Sequence, residues 1–305
     1  MITIVLSDGT KGSIACCKKV GAVQTVGMPG LKESLVQLLP DYECIVRPQK
    51  YPKATGPKTK PTTTMTGIVS GKYPYKNFIQ QHFLPLLNAQ LHNGKVLLVC
   101  YSFSCRAVSL LFQSLLTEDA AADQLNLIQT NLIGIVLLSP PFGNNKKDHT
   151  VPVVLQQNEK VADQDFFDQN WAASYTFVPQ WLPLHFIVGA KAATKFKDWT
   201  ESLVAGLNAA NVVVPAMADG MRKWWDDGNG EKKKSERTFR VIEDCKETFV
   251  DHVDSVARAI ADFLTFIGGD EGNEGEREGV EEEEEEEEEG GERDESPSPK
   301  KKVKR

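Results

Sequence analysis

Apolar residues in this chain gather in short runs separated by longer segments with helical spacing. The runs are Ile2 to Leu6, Tyr42 to Val46, Val96 to Cys100, Leu132 to Leu138, Leu184 to Val188 and Thr238 to Ile242. Near-continuous Val, Ile and Leu over such lengths suit strands covered on both faces. The segments Leu31 to Leu39, Phe78 to Leu91, Cys105 to Leu116 and Thr194 to Ala209 carry a helical pattern between them. The alternation predicts an α/β fold with a mostly parallel sheet and helices on both faces. The final helix is the clearest, because Val253, Val256, Ala257, Ile260, Ala261 and Leu264 share one face and Gly268-Gly269 supplies a stop.

Two stretches interrupt the alternation. Tyr51 to Pro61 is too rich in Pro, Gly and Lys to be regular and reads as an exposed loop. The connection from Pro140 to Pro183 is longer than a compact domain leaves unstructured, and its Trp171, Tyr175, Phe177 and Trp181 suggest a partly helical lid over the carboxyl edge of the sheet. A shorter insertion, Met221 to Arg237, contains Trp224-Trp225, which are expected to pack onto the domain.

The transition after the third run has chemical content. In Cys100-Tyr101-Ser102-Phe103-Ser104, a serine sits between small residues two places before and after it, at the point where a strand turns into a helix. This is the outline of a nucleophile elbow, whose strained turn tolerates only small residues at those two places. Glycine is usual there, so an ordinary strand-to-helix turn remains the competing reading. Apolar residues at 108, 111, 112, 115 and 116 continue as a helix with one buried face.

A serine nucleophile needs a base, and His252 lies after the last strand and directly before the last helix, where hydrolases of this order carry theirs. Capping of that helix by a solvated residue is the alternative. His185 falls inside a strand and reads as a core or edge residue, while His82, His92 and His149 match no motif. The acid should follow the Leu184 to Val188 strand, but that turn reads Gly189-Ala190-Lys191-Ala192. Asp198 is the candidate substitute and Asp148 a weaker one. The backbone N–H groups of Phe103, directly after the nucleophile, and of Thr10, in Ser7-Asp8-Gly9-Thr10, are the candidate oxyanion donors. A plain Asp-Gly turn explains the latter equally well.

Charge divides the 305 residues unevenly. From Gly269 onward there are 17 acidic and 7 basic residues, including the unbroken Glu281 to Glu289, which leaves 28 basic and 25 acidic residues of the chain's 35 and 42 in Met1 to Gly268. A like-charged run without aromatic residues buries too little apolar surface to order itself, so 269–305 is expected to be a disordered acidic tail after a domain spanning 1–268. Its end, Pro297-Ser298-Pro299-Lys300-Lys301-Lys302-Val303-Lys304-Arg305, resembles a nuclear import signal. Phosphorylation of Ser296 or Ser298 would weaken that signal.

Six cysteines with no signal-peptide pattern ahead of them favour free thiols in a reducing compartment, nuclear or cytoplasmic, and not secretion. No Cys or His spacing fits a metal, and neither a metal nor another cofactor is expected. Leu132 to Leu138 is too short to span a bilayer. Gly67 to Tyr73 departs from a phosphate-binding loop by one residue and by the missing Ser/Thr after Lys72, and no groove-reading helix accompanies the lysines at 50, 53, 58 and 60. Direct nucleic-acid binding is therefore not expected.

The turn Tyr101 to Ala107, the upstream Tyr51, Pro52, Gly56 and Pro61, and the strand ending at Gly189 together resemble one α/β-hydrolase-like family. It contains the third subunit of the non-specific-lethal chromatin complex, the testis-expressed protein thirty and bacterial relatives near dienelactone hydrolase. The family's elbow commonly reads G-R-S-M-G-x-R, so Ser102 and Arg106 match and both glycines do not. The family's acid would fall at Ala192, and His252 agrees with its final histidine. The resemblance implies the α/β-hydrolase fold over 1–268. It also implies a serine hydrolase acting on a small ester, thioester or related acyl substrate through Ser102 and His252 with a weak or missing acid. Some relatives serve as scaffolds, so the alternative is a catalytically impaired hydrolase fold in a nuclear complex, its acidic tail contacting basic proteins.

Overall fold

The computed structural model describes residues 2–7, 18–20, 23–25, 28–47, 79, 83–117, 122–142, 171–191, 196–209, 217–246, 249 and 251–269. Thr10, the loop from Tyr51 to Pro61, His82, Asp148, His149, Ala192, most of the 140–183 segment and the acidic tail with its basic end lie outside those residues. The chain divides into two units, Met1–Gly268 and Gly269–Arg305. The described elements belong to the first, apart from the last residue of the final helix.

The strands are β1 (Ile2–Ser7), the short β2 (Lys18–Val20) and β3 (Val23–Thr25), β4 (Glu43–Arg47), β5 (Lys95–Tyr101), β6 (Leu132–Leu138), β7 (Leu184–Gly189) and β8 (Arg237–Ile242). Among the described residues, six of them form one sheet in the order β4-β1-β5-β6-β7-β8. Every pairing in it is parallel. The expected α/β architecture is the one observed. β2 and β3 make a separate antiparallel pair that the apolar pattern does not reveal, because three-residue strands such as Lys18-Lys19-Val20 carry no periodicity.

The helices are α1 (Met28–Leu38), α2 (Leu84–Leu91), α3 (Phe103–Thr117), α4 (Ala122–Asn131), α5 (Phe196–Asn208), α6 (Met221–Asp227) and α7 (Val253–Gly269). Successive strand residues point to opposite faces, and the two cores follow that alternation. Leu97, Val99 and Tyr101 of β5 face α1 and α7, together with Val136, Leu138, Ile187 and Phe263. Val96, Leu98 and Cys100 face the other side, where α2 to α6 pack with Ile135, Leu137, Leu184 and Phe186. α4 was not apparent as a helix because only Leu125, Ile128 and Gln129 of its ten residues are buried.

Residues 171–182 cross beneath this second face rather than standing off it. Trp171, Tyr175, Phe177 and Trp181 are all buried, as are Trp224 and Trp225 of α6. Two buried arginines pin the crossing. Arg237 donates to the carbonyls of Val178, Pro179, Gln180, Leu182 and Ser235 at 2.6–3.2 Å. Burial pulls its guanidinium down to about 9, which leaves it a cation at neutral pH. Arg106 of α3 donates to Ser109 at 3.0 Å and to Ser174, and its guanidinium lies 5.5 Å over the Trp171 ring. Such charge-assisted bonds satisfy carbonyls and hydroxyls that would otherwise be costly to bury.

Candidate active site

Strand β5 ends at Tyr101, and Ser102 takes a left-handed backbone with φ +52° before Phe103 opens α3. A non-glycine residue there costs on the order of 1–3 kcal/mol and persists only where its surroundings over-determine it. The surroundings here do so. Ser102 N–H donates to Leu138 O on β6 at 2.9 Å, and Cys105 N–H donates to Ser102 O at 3.0 Å. Cys100 and Ser104, the two small residues of the motif, are fully buried. Ser104 Oγ donates to Ser7 O at 3.0 Å and accepts from Ser7 Oγ at 3.2 Å, tying the turn to the end of β1. Cys105 Sγ lies 3.2 Å from Cys100 O, and burial keeps the Cys100 and Cys105 thiols protonated. Ser102 itself is half-buried.

The carboxyl ends of the strands continue as a ladder. Ser102 N–H bonds Leu138 O, Ser139 N–H bonds Ile187 O at 2.9 Å, and Ala190 N–H bonds Ile242 O at 3.0 Å. Strain collects along the same edge. Ser102, Ser139, Asp244, Phe249 and Asp251 are five of the six described non-glycine residues with positive φ. Asp enters this region at modest cost, whereas a buried Phe249 at φ +51° is an outlier.

His252 stands at this edge, immediately ahead of α7. Three strand spacings, about 14 Å, separate the ends of β8 and β5. The chain recrosses that distance. Ser34 Oγ of α1, the helix after β1, donates to Asp254 Oδ1 at 2.7 Å, so α7 begins beside α1 and two residues after His252. The far half of α7 lies over β6 and β7, where Phe263 stacks on His185 at 4.9 Å. Ser102 and His252 thus share the carboxyl edge of the sheet. Among the described residues no hydrogen bond joins the Ser102 hydroxyl to the His252 ring.

The remaining candidates are dispersed. Asp198 is exposed in the first turn of α5, which packs on the face of the sheet opposite α7. Thr10 lies outside the described residues. The turn after β7, from which an acid was expected, carries Lys191, whose Nζ is 2.9 Å from Asp244 Oδ1 in the turn after β8. That hydrogen bond and the lysine's charge hold the Asp244 carboxyl below the usual carboxylate range, with a smaller contribution from His252. Asp244 matches no motif in the sequence, because its pairing with Lys191 depends on two turns from different strands.

His185, expected at a core or edge position, is buried at the opposite edge. Its Nδ1 lies 2.7 Å from Thr238 Oγ1, and burial, reinforced by Arg240, pulls its imidazole down to about 4. It borders a cavity of about 200 Å³ with Phe239, Arg240, Asp262 and Phe266. Cys44, Cys100, Cys105 and Cys245 are free and buried. Among the described residues no group of three or more His, Cys, Asp or Glu could hold a metal, and no helix is long and apolar enough to cross a membrane.

No protein-family model matches the sequence, and no curated protein does. Solved structures with a similar chain path include members of the α/β-hydrolase superfamily. A Xanthomonas campestris protein assigned to that superfamily shares 12% identity at a TM-score of 0.39, over 87% of this chain and 98% of its own. A monoacylglycerol lipase of Paleococcus ferrophilus shares 11% identity at a TM-score of 0.40, over 87% of this chain and 94% of its own. A carboxylesterase of Nitrososphaera gargenis shares 13% identity at a TM-score of 0.42, over 88% and 91%.

Proposed function

We propose that this protein is a serine hydrolase acting on an ester, thioester or related acyl compound. The observation that carries the reading is the backbone of Ser102: φ +52° at the end of a central parallel strand, between two fully buried small residues and directly before a helix. A fold that keeps a strained serine at a sheet edge presents its hydroxyl to whatever binds there.

The chemistry runs as follows. His252 takes the Ser102 hydroxyl proton as Oγ attacks the acyl carbon, and the carbonyl π pair moves onto oxygen. The N–H groups of Phe103 and Thr10 receive that oxyanion. Collapse of the tetrahedral species expels the alcohol or thiol, which leaves with the proton from His252. Water then repeats the sequence on the acyl-enzyme and releases the acid.

One observation favours the second reading, a catalytically impaired hydrolase fold used for interaction. A cation, Lys191, occupies the turn from which the acid was expected, and Asp198 is in solvent. In the serine protease template, loss of the acid's function lowers turnover about 10⁴-fold, roughly 5 kcal/mol of transition-state stabilisation. A fluorophosphonate probe separates the two. Labelling that disappears in Ser102→Ala supports the hydrolase, and folded protein that takes up no label leaves the scaffold.

A further inference from the structure

We infer that the protein pairs with a second copy of itself through the edge strand β4, the two strands running antiparallel about a two-fold axis at Ile45. The inference is independent of the serine chemistry, since β1 separates β4 from the strand that leads to Ser102.

Among the described residues the sheet ends at β4 on one side and at β8 on the other. β4 follows β1 residue for residue from Thr3–Glu43 to Ser7–Arg47, so one side of its backbone is paired and the other has no strand beside it. An open edge is a template for another strand, and proteins that avoid such pairing blunt the edge with a charge, a bulge or a proline. β8 is blunted in this way by the exposed Arg240 in its middle. The middle of β4 is instead Cys44-Ile45-Val46, apolar throughout, with a charged residue at each end.

The sequence of β4 is complementary to itself. A two-fold axis perpendicular to the sheet keeps each face on its own side, and placing it at Ile45 sets that residue opposite its own copy. Position 43 of one chain then stands opposite position 47 of the other, a glutamate against an arginine, and the symmetry supplies this pair twice. Cys44 comes opposite Val46. Glu43 is exposed and accepts from Thr3 Oγ1 at 3.2 Å. Ile45 is half-buried and joins neither core among the described residues, whereas Cys44 and Val46 pack with the core beneath α1.

Helix α1 extends the same surface. It lies over β4 and β1, so two copies related by that axis run antiparallel about 10 Å apart, a distance at which helices pack. Ser34 meets α7, and Val36 lies on the opposite side of the helix, toward the open edge. Val36 is 45% exposed and shares with Val46 an open groove of about 540 Å³, rimmed by Lys32, Glu33 and Gln37. The two grooves face each other across the axis, and closing them takes both Val36 side chains out of water. Lys32 and Glu33 cancel, so the rims carry no net charge to hold two copies apart.

The test is the mass of the full-length protein by sedimentation, from dilute solution to about 100 µM, above the micromolar range suited to a short ladder and one helix pair. The wild type moves with concentration from the 33.8 kDa of one chain toward twice that value. Glu43→Arg and Arg47→Glu each set like charges opposite at both ends of the ladder and weaken association at least about tenfold. An equimolar mixture of the two regains the wild-type mass, because every position 43 then meets an opposite charge at position 47. Val36→Asp weakens association with the strand charges intact, and the Tm of each variant checks that it is folded. A wild type that keeps the mass of one chain at the highest concentration overturns the inference and leaves the edge to another partner. So does a dimer that survives both single reversals, since the copies then meet elsewhere, and so does a mixture that fails to regain the wild-type mass.

Discussion

Around Ser102, the residues that shape the turn are sealed in the core; around His252, exposed Asp244 and Asp251 alternate with buried Cys245 and Phe249. Cys100, Ser104 and Cys105 are wholly buried, and Ser102 N–H, Ser104 Oγ and Cys105 Sγ are bonded to β6, β1 and β5 in turn. The turn that carries His252 is shaped by left-handed residues and an exposed Lys191–Asp244 pair. A buried turn is over-determined by packing, because any enlargement has to displace close-packed neighbours. An exposed turn is held by a few local bonds and yields to single changes. The turn at Ser102 is thereby fixed by packing, and the turn at His252 is the more adjustable of the two.

Four measurements test the contrast between the two turns and the sheet that carries them. The largest effect belongs to Ser104→Val, which removes the hydroxyl bonded to Ser7 and forces a branched side chain into a sealed site. It costs about 3 kcal/mol, seen as a Tm lower by about 6–12 °C, and abolishes labelling of Ser102. A Tm within 2 °C of the wild type would show that the elbow is looser than its burial implies.

An effect of similar size comes from the far edge of the sheet and separates stability from activity. In the folded state His185 stays neutral down to about 4, whereas in the unfolded chain it takes up a proton near pH 6.5. Unfolding binds a proton between those values, so stability is complete above about pH 6.5 and is lost as pH falls toward 4, on the order of 3 kcal/mol in all. Urea midpoints at pH 7.5 and 5 report the loss, and His185→Asn flattens the difference without touching the pH profile of labelling.

Gly189→Ala acts on the seam between the two turns. Its new Cβ meets the carbonyls of Cys245 and Lys246, which costs about 2 kcal/mol and displaces the segment leading to His252. Labelling should slow as well, because the turn ahead of His252 moves. The smallest effect on stability is that of Lys191→Met. An exposed pair leaves the unfolding midpoint unchanged, so any clear drop in Tm would mean that the histidine turn is better braced than its exposure suggests.

Much of the elbow was legible in the chain because its requirements are local. A strand, a serine flanked by small residues two positions away and a helix with one apolar face are adjacent in sequence, and Cys100 and Ser104 meet the steric demand that glycine usually meets. The position of His252 was legible for the same reason, as the residue between the last strand and the last helix. The pairing of Lys191 with Asp244 was not, because it depends on how two turns from different strands close on each other. Nothing in the sequence marks Lys191 as the partner of Asp244. Likewise Arg106 and Arg237 carry no periodic signal that marks a guanidinium for burial, yet each is placed under the sheet by the hydroxyls and carbonyls it satisfies.

Which segments form the six-stranded sheet, and where the chain turns sharply enough to strain a serine, follow from the order of hydrophobic and polar residues. Those are consequences of side-chain period and size, properties each residue carries with it. That Lys191 pairs with Asp244, and that Gly189 is the contact at which the two turns meet, follows from the tertiary structure alone. Electrostatic and close-packing relations of that kind act through space, and the separation in sequence between Lys191 and Asp244 has no bearing on them.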